Sequence, residues 1–231
     1  MIRCIEAEIL DDLPVDEPLA QGSRKDLARL NGWMGNVRIM AGILEHNFQK
    51  TAPETLLELG AGDGCFLAAL SSRMGESWRD VNAVLLDRRS SLAGNARSNL
   101  EQNGWKVQTI QSDVFDWVKE TGTKPVEVVM CNLFLHHFPD SNLKILFEGI
   151  ASRTKLFISL EPKRSRVGLL ASRLVGAIGC NRVTRHDAPI SVRAGFAGKE
   201  LSSLWPTREG WILEERPAGW CSHLFLARRH V

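Results

Sequence analysis

Three glycines alternate with other residues at the end of a short apolar run. Residues 55–66 read Thr-Leu-Leu-Glu-Leu-Gly-Ala-Gly-Asp-Gly-Cys-Phe, with Glu58 two residues before Gly60. Glycine adopts positive φ without steric cost, so such a turn can bring backbone N–H groups close to a ligand at the N-terminus of the following helix. The spacing is Gly-x-Gly-x-Gly, whereas NAD-binding loops have Gly-x-Gly-x-x-Gly. The stretch predicts a nucleotide-type loop, and the alternative is a tight strand-to-helix turn without a ligand.

Two aspartates close later apolar runs. Asp87 follows Gly62 by 25 residues, and a carboxylate there can accept hydrogen bonds from both hydroxyls of a ribose. Alternatively, Asp87 caps a helix or pairs with its neighbour Arg88, which could itself indicate a 2′-phosphate and NADP; the glycine spacing argues against NADP. Asp113 ends the third run, where it can also serve as the N-cap of a helical turn at 114–120.

Histidines are the candidate bases. His136 and His137 follow the fourth apolar run, and a neutral imidazole can take a proton from a hydroxyl near pH 7. We expect one ring to face a pocket and the other to pack, and we favour His137 as the base; a structural role for both is the alternative. His186 is a further candidate because the carboxylate of Asp187 can orient it, although a structural hydrogen-bonded corner explains that pair equally well.

Alternating strands and helices must position these residues. The patterns predict strands at 55–60, 81–87, 106–112, 126–132 and 155–161, with helices at 64–75, 90–103, about 113–120 and 140–152. Such alternation favours right-handed crossovers and a parallel sheet, with ligands bound at the carboxyl ends of the strands. Before this block we expect an irregular arm (1–22) and one or two helices (23–48). After it we expect a helical or loop insertion (163–205) and an antiparallel strand pair.

As a set, these motifs resemble those of class I S-adenosylmethionine (SAM)-dependent methyltransferases over roughly residues 53–230. The resemblance is carried by Glu58-x-Gly60-x-Gly62-x-Gly64, Asp87, Ser112-Asp113-Val114 and Cys131-Asn132-Leu-Phe-Leu-His136-His137-Phe-Pro. It implies an α/β fold with a Rossmann-like seven-stranded sheet, an antiparallel C-terminal hairpin, helices on both faces and an N-terminal helical cap. We therefore expect an arm and cap in residues 1–50 and the methyltransferase domain in 51–231, with 163–205 as its substrate-side insertion.

The resemblance also implies roles for individual residues. SAM is the expected cofactor and S-adenosylhomocysteine the product. Glu58 would orient the glycine loop or the cofactor ammonium, Asp113 would accept from the adenine amino group, and Asn132 would lie beside the methionyl moiety. The full set of expected cofactor-binding residues is Glu58, Gly60, Ala61, Gly62, Asp87, Arg88, Asp113, Val114, Asn132 and Leu133. The expected substrate-binding residues are Trp33, Arg38, Glu161 and Arg185.

The acceptor is predicted from the insertion and the histidine pair. Residues 163–205 mix apolar and arginine side chains, which suits an aromatic or acyl acceptor with an acidic group. We predict methylation of a phenolic or enolic oxygen on an aromatic, polyketide-like or quinone-like small molecule. Asn132-Leu-Phe-Leu differs from the Asn-Pro-Pro-Tyr pattern of enzymes that methylate flipped DNA bases. The Asp-Asp-Asn pattern of magnesium-dependent catechol methyltransferases is also missing, so we predict no metal.

Three alternative functions are also compatible with the sequence. An RNA methyltransferase is suggested by nine Lys or Arg against two acids between Arg153 and Arg193. An NAD(P)-binding Rossmann oxidoreductase would share the strand-to-helix glycine turn. A SAM-binding regulator without turnover is the third alternative.

Composition sets the remaining expectations. The 231 residues carry 29 Lys plus Arg against 27 Asp plus Glu, and this net charge of +2 predicts no overall attraction to nucleic acid or membrane. Five scattered cysteines fit reduced thiols in the cytosol. No stretch approaches the roughly 18 apolar residues of a membrane span, and early acids argue against a signal peptide. We therefore expect a cytoplasmic monomer or homodimer that acts on a small molecule.

Overall fold

A seven-stranded sheet organises the protein, as seen in a computed structural model that describes residues 1–49, 51–89, 92–120 and 125–230. The strands are β1 (Thr55–Leu59), β2 (Asn82–Asp87), β3 (Lys106–Gln111), β4 (Val126–Asn132), β5 (Thr154–Pro162), β6 (Trp211–Ala218) and β7 (Ser222–Arg229). Their order across the sheet is β3-β2-β1-β4-β5-β7-β6. Strands β1 to β5 are mutually parallel, and β7 pairs antiparallel with both β5 and β6. This arrangement confirms the predicted fold class.

Helices connect the strands and extend both ends of the sheet. They are α1 (Ile9–Asp12), α2 (Pro18–Met34), α3 (Asn36–Phe48), α4 (Cys65–Met74), α5 (Gly94–Gln102), α6 (Val114–Lys119), α7 (Asp140–Arg153), α8 (Arg166–Arg173), α9 (Arg182–Ala194) and α10 (Glu200–Leu204). Short 3₁₀ turns occur at Gly75–Trp78, Leu135–His137 and Val175–Ile178. The insertion at 163–205 is thus mainly helical. No helix in the described ranges combines the length and apolar character needed to cross a bilayer.

Two apolar layers bury the faces of the sheet. On one face, α3, α4 and α5 pack through buried side chains such as Met40, Leu67 and Leu100. On the other, α6, α7 and α10 surround an aromatic group whose rings lie 5.3 to 6.0 Å apart: Phe147, Phe157, Trp205 and Phe225. Since a parallel sheet is apolar on both faces, helices on both sides are needed to cover it.

The N-terminal region is more regular than expected from its sequence. Helix α2 begins at Pro18, within the predicted irregular arm, because proline is well accommodated in the first helical turn. A further short helix, α1, lies in the same arm. The expected pair of helices is formed by α2 and α3, which separate at Gly35 with φ of 72°. The helix predicted at 90–103 begins at Gly94, while residues 90 and 91 lie outside the described residues.

The strand order creates a crevice at the carboxyl ends of β1 and β4. Strand β1 lies between β2, which continues the sheet one way, and β4, which continues it the other way. Connections leaving these strands therefore diverge, and ligands of open α/β sheets bind where they part. All the motifs that the sequence places at strand ends meet at this edge.

Candidate active site

A cavity of about 560 Å³ opens at this edge of the sheet. Every residue expected to bind the cofactor lines it: Glu58, Gly60, Ala61, Gly62, Asp87, Arg88, Asp113, Val114, Asn132 and Leu133. Its other walls come from the N-terminal arm, α2, the segment after β4, and α9, which contributes Ser191. The sequence motifs are therefore brought together in one place.

The backbone of the glycine loop is bonded within the protein. The N–H groups of Gly60 and Ala61 both donate to the carbonyl of Leu86, at 2.9 and 3.1 Å. The Gly62 N–H donates to Asp87 Oδ2 at 2.8 Å. The expectation that these N–H groups face a ligand is therefore wrong for these three residues. A pyrophosphate is bound by such N–H groups, so this loop is poorly suited to a dinucleotide.

Close packing explains the glycine at position 60. Its φ is +67°, and a Cβ placed there would lie 2.2 Å from Cδ2 of Phe134. Phe134 itself lines the cavity, and the preceding Leu133 has an unusual φ of +55°. The loop after β1 and the turn after β4 thus contact each other, and together they form the floor of the cavity.

Glu58 is a buried carboxylate that lines the cavity, and one of its oxygens has no hydrogen-bond partner among the described residues. Its side chain is 2% exposed, and Oε2 has no hydrogen-bond partner. Burial raises the pKa of Glu58 well above its usual value, and the charges of Asp63 and Asp87 raise it further. A cationic ligand group near Oε2 would relieve this cost. The ammonium or sulfonium of SAM fits that requirement, as the resemblance implies.

The carboxylates of the two strand-end aspartates both accept hydrogen bonds from backbone N–H groups. Asp87 uses Oδ2 for Gly62 and Oδ1 for the N–H of Arg89 at 2.8 Å. A carboxylate has about four acceptor positions, so Asp87 retains capacity for ribose hydroxyls. Asp113 caps α6 by accepting from the Phe115 N–H at 2.8 Å. Its role as an N-cap is thus observed, while its adenine contact stays a prediction.

An amide network fixes Asn132 in the cavity floor. Asn132 Nδ2 donates to Asn31 Oδ1 at 3.1 Å and Asn132 Oδ1 accepts from Asn36 Nδ2 at 2.8 Å. The fully buried Asn36 also accepts from the hydroxyl of Ser222 at 2.6 Å. Both helices of the N-terminal cap therefore contribute to the position of a strand-end residue.

Glu161 shapes the turn that carries the histidines and does not face the cavity. It is 0% exposed, and Oε1 accepts from the N–H groups of Phe134 and Leu135 at 3.2 and 2.9 Å. Oε2 lies 2.8 Å from His136 Nδ1. The expectation of a substrate-binding Glu161 is not met, because the sheet-end carboxylate is fully used by this turn.

His136 lies between two carboxylates. Beyond Glu161, its Nε2 is 3.5 Å from Oε1 of Glu8. Burial by itself lowers the pKa of His136, but the hydrogen bonds and charges of Glu161 and Glu8 raise it to about 9. A ring that is cationic at neutral pH has no free electron pair for a substrate proton. His136 is therefore unsuited to the predicted role of neutral base.

His137 is the more accessible member of the pair. Its side chain is 25% exposed, and Nδ1 lies 3.2 Å from Oδ2 of Asp11. Both residues line the cavity. Burial alone would raise the pKa of Asp11, but the hydrogen bond and charge of His137 bring it below the usual value. Because the Asp11 carboxylate pairs with Nδ1 of His137, the second ring nitrogen, Nε2, is left to face the cavity.

The N-terminal arm places Glu8 and Asp11 beside the histidines, and no sequence motif marks these two acids as site residues. The carboxylate of Asp187 on α9 accepts from the N–H groups of Ile9 and Leu10 at 2.9 and 3.0 Å. Ser191 donates to Glu8. Since the arm was expected to be irregular, nothing in it marked these two acids as neighbours of the histidines.

Besides Glu161, four expected site residues lie outside the cavity lining: Trp33, Arg38, Arg185 and His186. His186 pairs with Asp187 at 2.8 Å and is half exposed, so this pair forms the hydrogen-bonded corner considered as an alternative. Trp33 is 62% exposed. In their place, Arg24, Asn31 and Ser191 reach the cavity from the cap and the insertion.

One donor cluster in the described part of the chain has the composition of a metal site. Glu8, His136 and His137 each offer one ligand atom, and these atoms lie within 4.8 Å of one another. The His136 ring is already bracketed by Glu161 and Glu8, so a cation would have to displace its proton. The sequence-based expectation of a metal-free site stays a prediction.

Comparisons with known proteins agree with this geometry. Residues 56–155 match the family model described as "Methyltransferase domain". The structure of the plantazolicin methyltransferase BpumL in complex with SAH has a TM-score of 0.64 at 14% identity, with 93% of this chain and 92% of that chain covered. Magnesium protoporphyrin IX methyltransferase from Synechocystis PCC 6803, with bound SAH, has a TM-score of 0.52 at 14% identity, covering 96% and 91%.

A third solved structure is longer than this chain. It is the N,N-8-amino-8-demethyl-D-riboflavin dimethyltransferase RosA from Streptomyces davawensis, with a TM-score of 0.61 at 15% identity. The match covers 97% of this chain and 62% of that one. No curated protein matches the chain significantly by sequence. At such identities, structural likeness shows the fold, and the family match adds the domain type. The strand order, the match of residues 56–155 to a methyltransferase domain and the gathering of the cofactor motifs in one crevice together identify a SAM-dependent methyltransferase domain within this chain.

Proposed function

We propose that this protein transfers a methyl group from SAM to an oxygen of a small molecule, most simply a phenolic or enolic hydroxyl of an aromatic, polyketide-like or quinone-like compound. The observation that carries the proposal is the Asp11–His137 pair on the cavity wall, with 3.2 Å between Oδ2 and Nδ1. The similar structures named above are methyltransferases named for plantazolicin, a protoporphyrin and a riboflavin derivative, which supports a small-molecule acceptor.

The cofactor contacts follow from the lining residues. Bound SAM supplies a methyl group on a sulfonium that is already activated for displacement. Glu58 would face its positive charge, Asp87 its ribose hydroxyls and Asp113 its adenine. The chain therefore mainly has to align the acceptor and exclude water. Residues 1–50 would act as the cap and 163–205 as the acceptor side, since both regions contribute to the cavity wall.

His137 would accept the acceptor proton. In its neutral form the ring takes the proton from the hydroxyl as the oxygen attacks, while Asp11 holds Nδ1 and stabilises the cation that forms. Such assistance contributes on the order of 10²–10⁴-fold. His136, held as a cation by Glu8 and Glu161, would position the turn and the arm without moving a proton.

The test compares two histidine–carboxylate pairs. His137→Ala is expected to lower methyl transfer from labelled SAM to a panel of phenols by about 100-fold or more. SAM affinity, measured by calorimetry, should stay almost unchanged. His186→Ala is the matched control because His186 also pairs with an aspartate but lies outside the cavity. Equal activity of His137→Ala and wild type would contradict the base assignment.

A second arm of the same experiment addresses the acceptor. If the wild type methylates none of the phenols and instead methylates RNA, the small-molecule proposal is wrong. Binding of RNA would then weaken steeply with added salt. The two outcomes separate the acceptor class from the role of His137.

A further inference from the structure

The segment after β5 is positively charged without a compensating acid. Residues 163–186 contain six Lys or Arg and no Asp or Glu. Arg164 is used inside the fold, since its side chain is 6% exposed and pairs with Glu200. Four other arginines are exposed and form no ion pair within the described residues: Arg166, Arg173, Arg182 and Arg185. The positive charge is therefore presented to the outside.

The same segment exposes large apolar side chains. Val167, Leu170 and Leu174 are 73%, 61% and 60% exposed. Their spacing of three and four residues places them on one side of α8 and its C-terminal turn. Ile178, in the following 3₁₀ turn, is 38% exposed. We refer to this set as the α8 surface: Arg166, Val167, Leu170, Arg173, Leu174, Ile178 and Arg185.

Two neighbouring contacts extend this surface. Arg185 lies across the 3₁₀ turn, since a Cβ built on Gly176 would come within 2.8 Å of its Nε. The exposed Trp33 borders the end of the same segment, because the Arg29 guanidinium lies 6.0 Å from its ring and donates to Cys180 Sγ at 3.4 Å. A tryptophan beside leucines and arginines has the residue composition found at bilayer interfaces.

Charge and side-chain type decide between the possible partners. A second copy related by a two-fold axis would place this arginine-rich patch against itself, so like charges would oppose the contact. Single-stranded nucleic acid binds by stacking successive bases on aromatic rings, whereas the exposed apolar side chains of α8 itself are aliphatic and the aromatic Trp33 lies only at the border of the segment. Aliphatic residues flanked by arginines match a lipid surface that offers both acyl chains and phosphates.

We propose that the α8 surface binds the face of an anionic lipid bilayer, with its aliphatic side chains at the acyl boundary and its arginines on the lipid phosphates. No membrane-spanning helix is required for this. Helix α8 packs on α9, which carries Ser191 into the cavity wall. Binding would therefore hold the active-site cavity close to the lipid, where apolar acceptors concentrate. The proposal does not depend on which acceptor is methylated.

Vesicle co-sedimentation of the full chain tests this proposal. We expect the wild type to sediment with vesicles of phosphatidylcholine and phosphatidylglycerol, and to remain in solution with phosphatidylcholine alone. Arg166→Gln with Arg173→Gln should weaken partition by about 25-fold, at roughly fivefold for each arginine. Leu170→Ser with Leu174→Ser should weaken it on the order of tenfold or more.

The controls keep the result interpretable. Ile145→Ser removes an apolar side chain that is 49% exposed on α7, which covers one face of the sheet and lies outside the α8 surface, and it should leave partition unchanged. SAM affinity of each variant, measured by calorimetry, reports folding independently of lipid. The proposal is overturned if the wild type ignores anionic vesicles or if the leucine variant binds them as well as the wild type.

Discussion

At the scale of single residues, the site is built from carboxylates in unequal environments. Asp87 and Asp113 hold backbone N–H groups, Glu161 holds the histidine turn, and Asp11 holds a ring nitrogen of His137. Glu58 differs, since its Oε2 is buried without a partner. A polar group left unpaired in the interior costs stability unless a ligand completes it.

Replacing Glu58 with Gln is expected to stabilise the cofactor-free protein at pH 7 and to weaken SAM binding. The raised pKa means that the folded chain holds the Glu58 proton to higher pH than the unfolded chain does. Wild-type stability therefore falls as pH rises above about 4.3, the usual glutamate value. When the free energy of unfolding is measured with denaturant at a series of pH values, the difference between Glu58→Gln and the wild type should grow as the pH rises above this value. Glu76→Gln, at an exposed position, should show no such gap, and a parallel pair of curves for Glu58→Gln would refute the assignment.

At the scale of elements, two strand-to-helix turns define the cavity floor by touching each other. The loop after β1 passes through positive φ at Gly60, Gly62 and Gly64, and the turn after β4 does so at Leu133. The Phe134 ring fills the space that a Cβ at position 60 would need. The third contributor is the N-terminal arm, which is docked through Ile9 and Leu10 on Asp187.

Gly60→Ala should cost more stability than Gly35→Ala. Both glycines have positive φ, near 67° and 72°, but a Cβ on Gly35 meets nothing within 4 Å. Gly35→Ala therefore measures the backbone cost alone, about 1–2 kcal/mol. Gly60→Ala adds displacement of the Phe134 ring, so its free energy of unfolding should drop further and SAM affinity should fall with it. Equal losses in denaturant unfolding would show that the two turns do not depend on each other.

At the scale of the whole molecule, one sheet topology selects the class of ligand. The reversal of strand order between β2 and β4 opens the crevice on β1, and the loop that borders it has its Gly60, Ala61 and Gly62 N–H groups bonded within the protein. A pyrophosphate would lack those donors. A sulfonium compound with a ribose and an ammonium does not need them.

SAM should therefore stabilise the protein and NADPH should not. At a SAM concentration of about 100 times its dissociation constant, linkage predicts about 2.7 kcal/mol, or a rise in Tm of roughly 5–10 °C for a chain of this size. Thermal unfolding with each compound checks this, and an unchanged Tm with SAM would be decisive against the cofactor assignment.

Treatment with EDTA should leave methyl transfer unchanged. A chelator-sensitive rate would instead assign a metal to the Glu8, His136 and His137 group.

The sequence by itself determined the order of the five parallel strands and the residues at their carboxyl ends that meet in the crevice. These follow from local signals: an apolar run becomes a strand, its terminal acid or amide lies at the carboxyl edge, and parallel strands bring all such edges together. Asp87, Asp113 and Asn132 could therefore be located from their neighbours in the chain. The glycines were also readable from the sequence, because a turn that passes through positive φ favours glycine, although the packing of Gly60 against Phe134 was not.

Tertiary structure alone decided what surrounds those residues. Whether His136 or His137 faces the cavity depends on Glu161 and on two acids of the distant arm, and a contact between residues so far apart in the chain leaves no periodic trace. For the α8 surface, the sequence shows the local excess of Lys and Arg, but only folding shows which of these side chains are exposed beside apolar ones. Local backbone conformation follows from residues that are neighbours in the sequence, whereas the electrostatic environment of a side chain is set by packing between elements that are distant in the sequence.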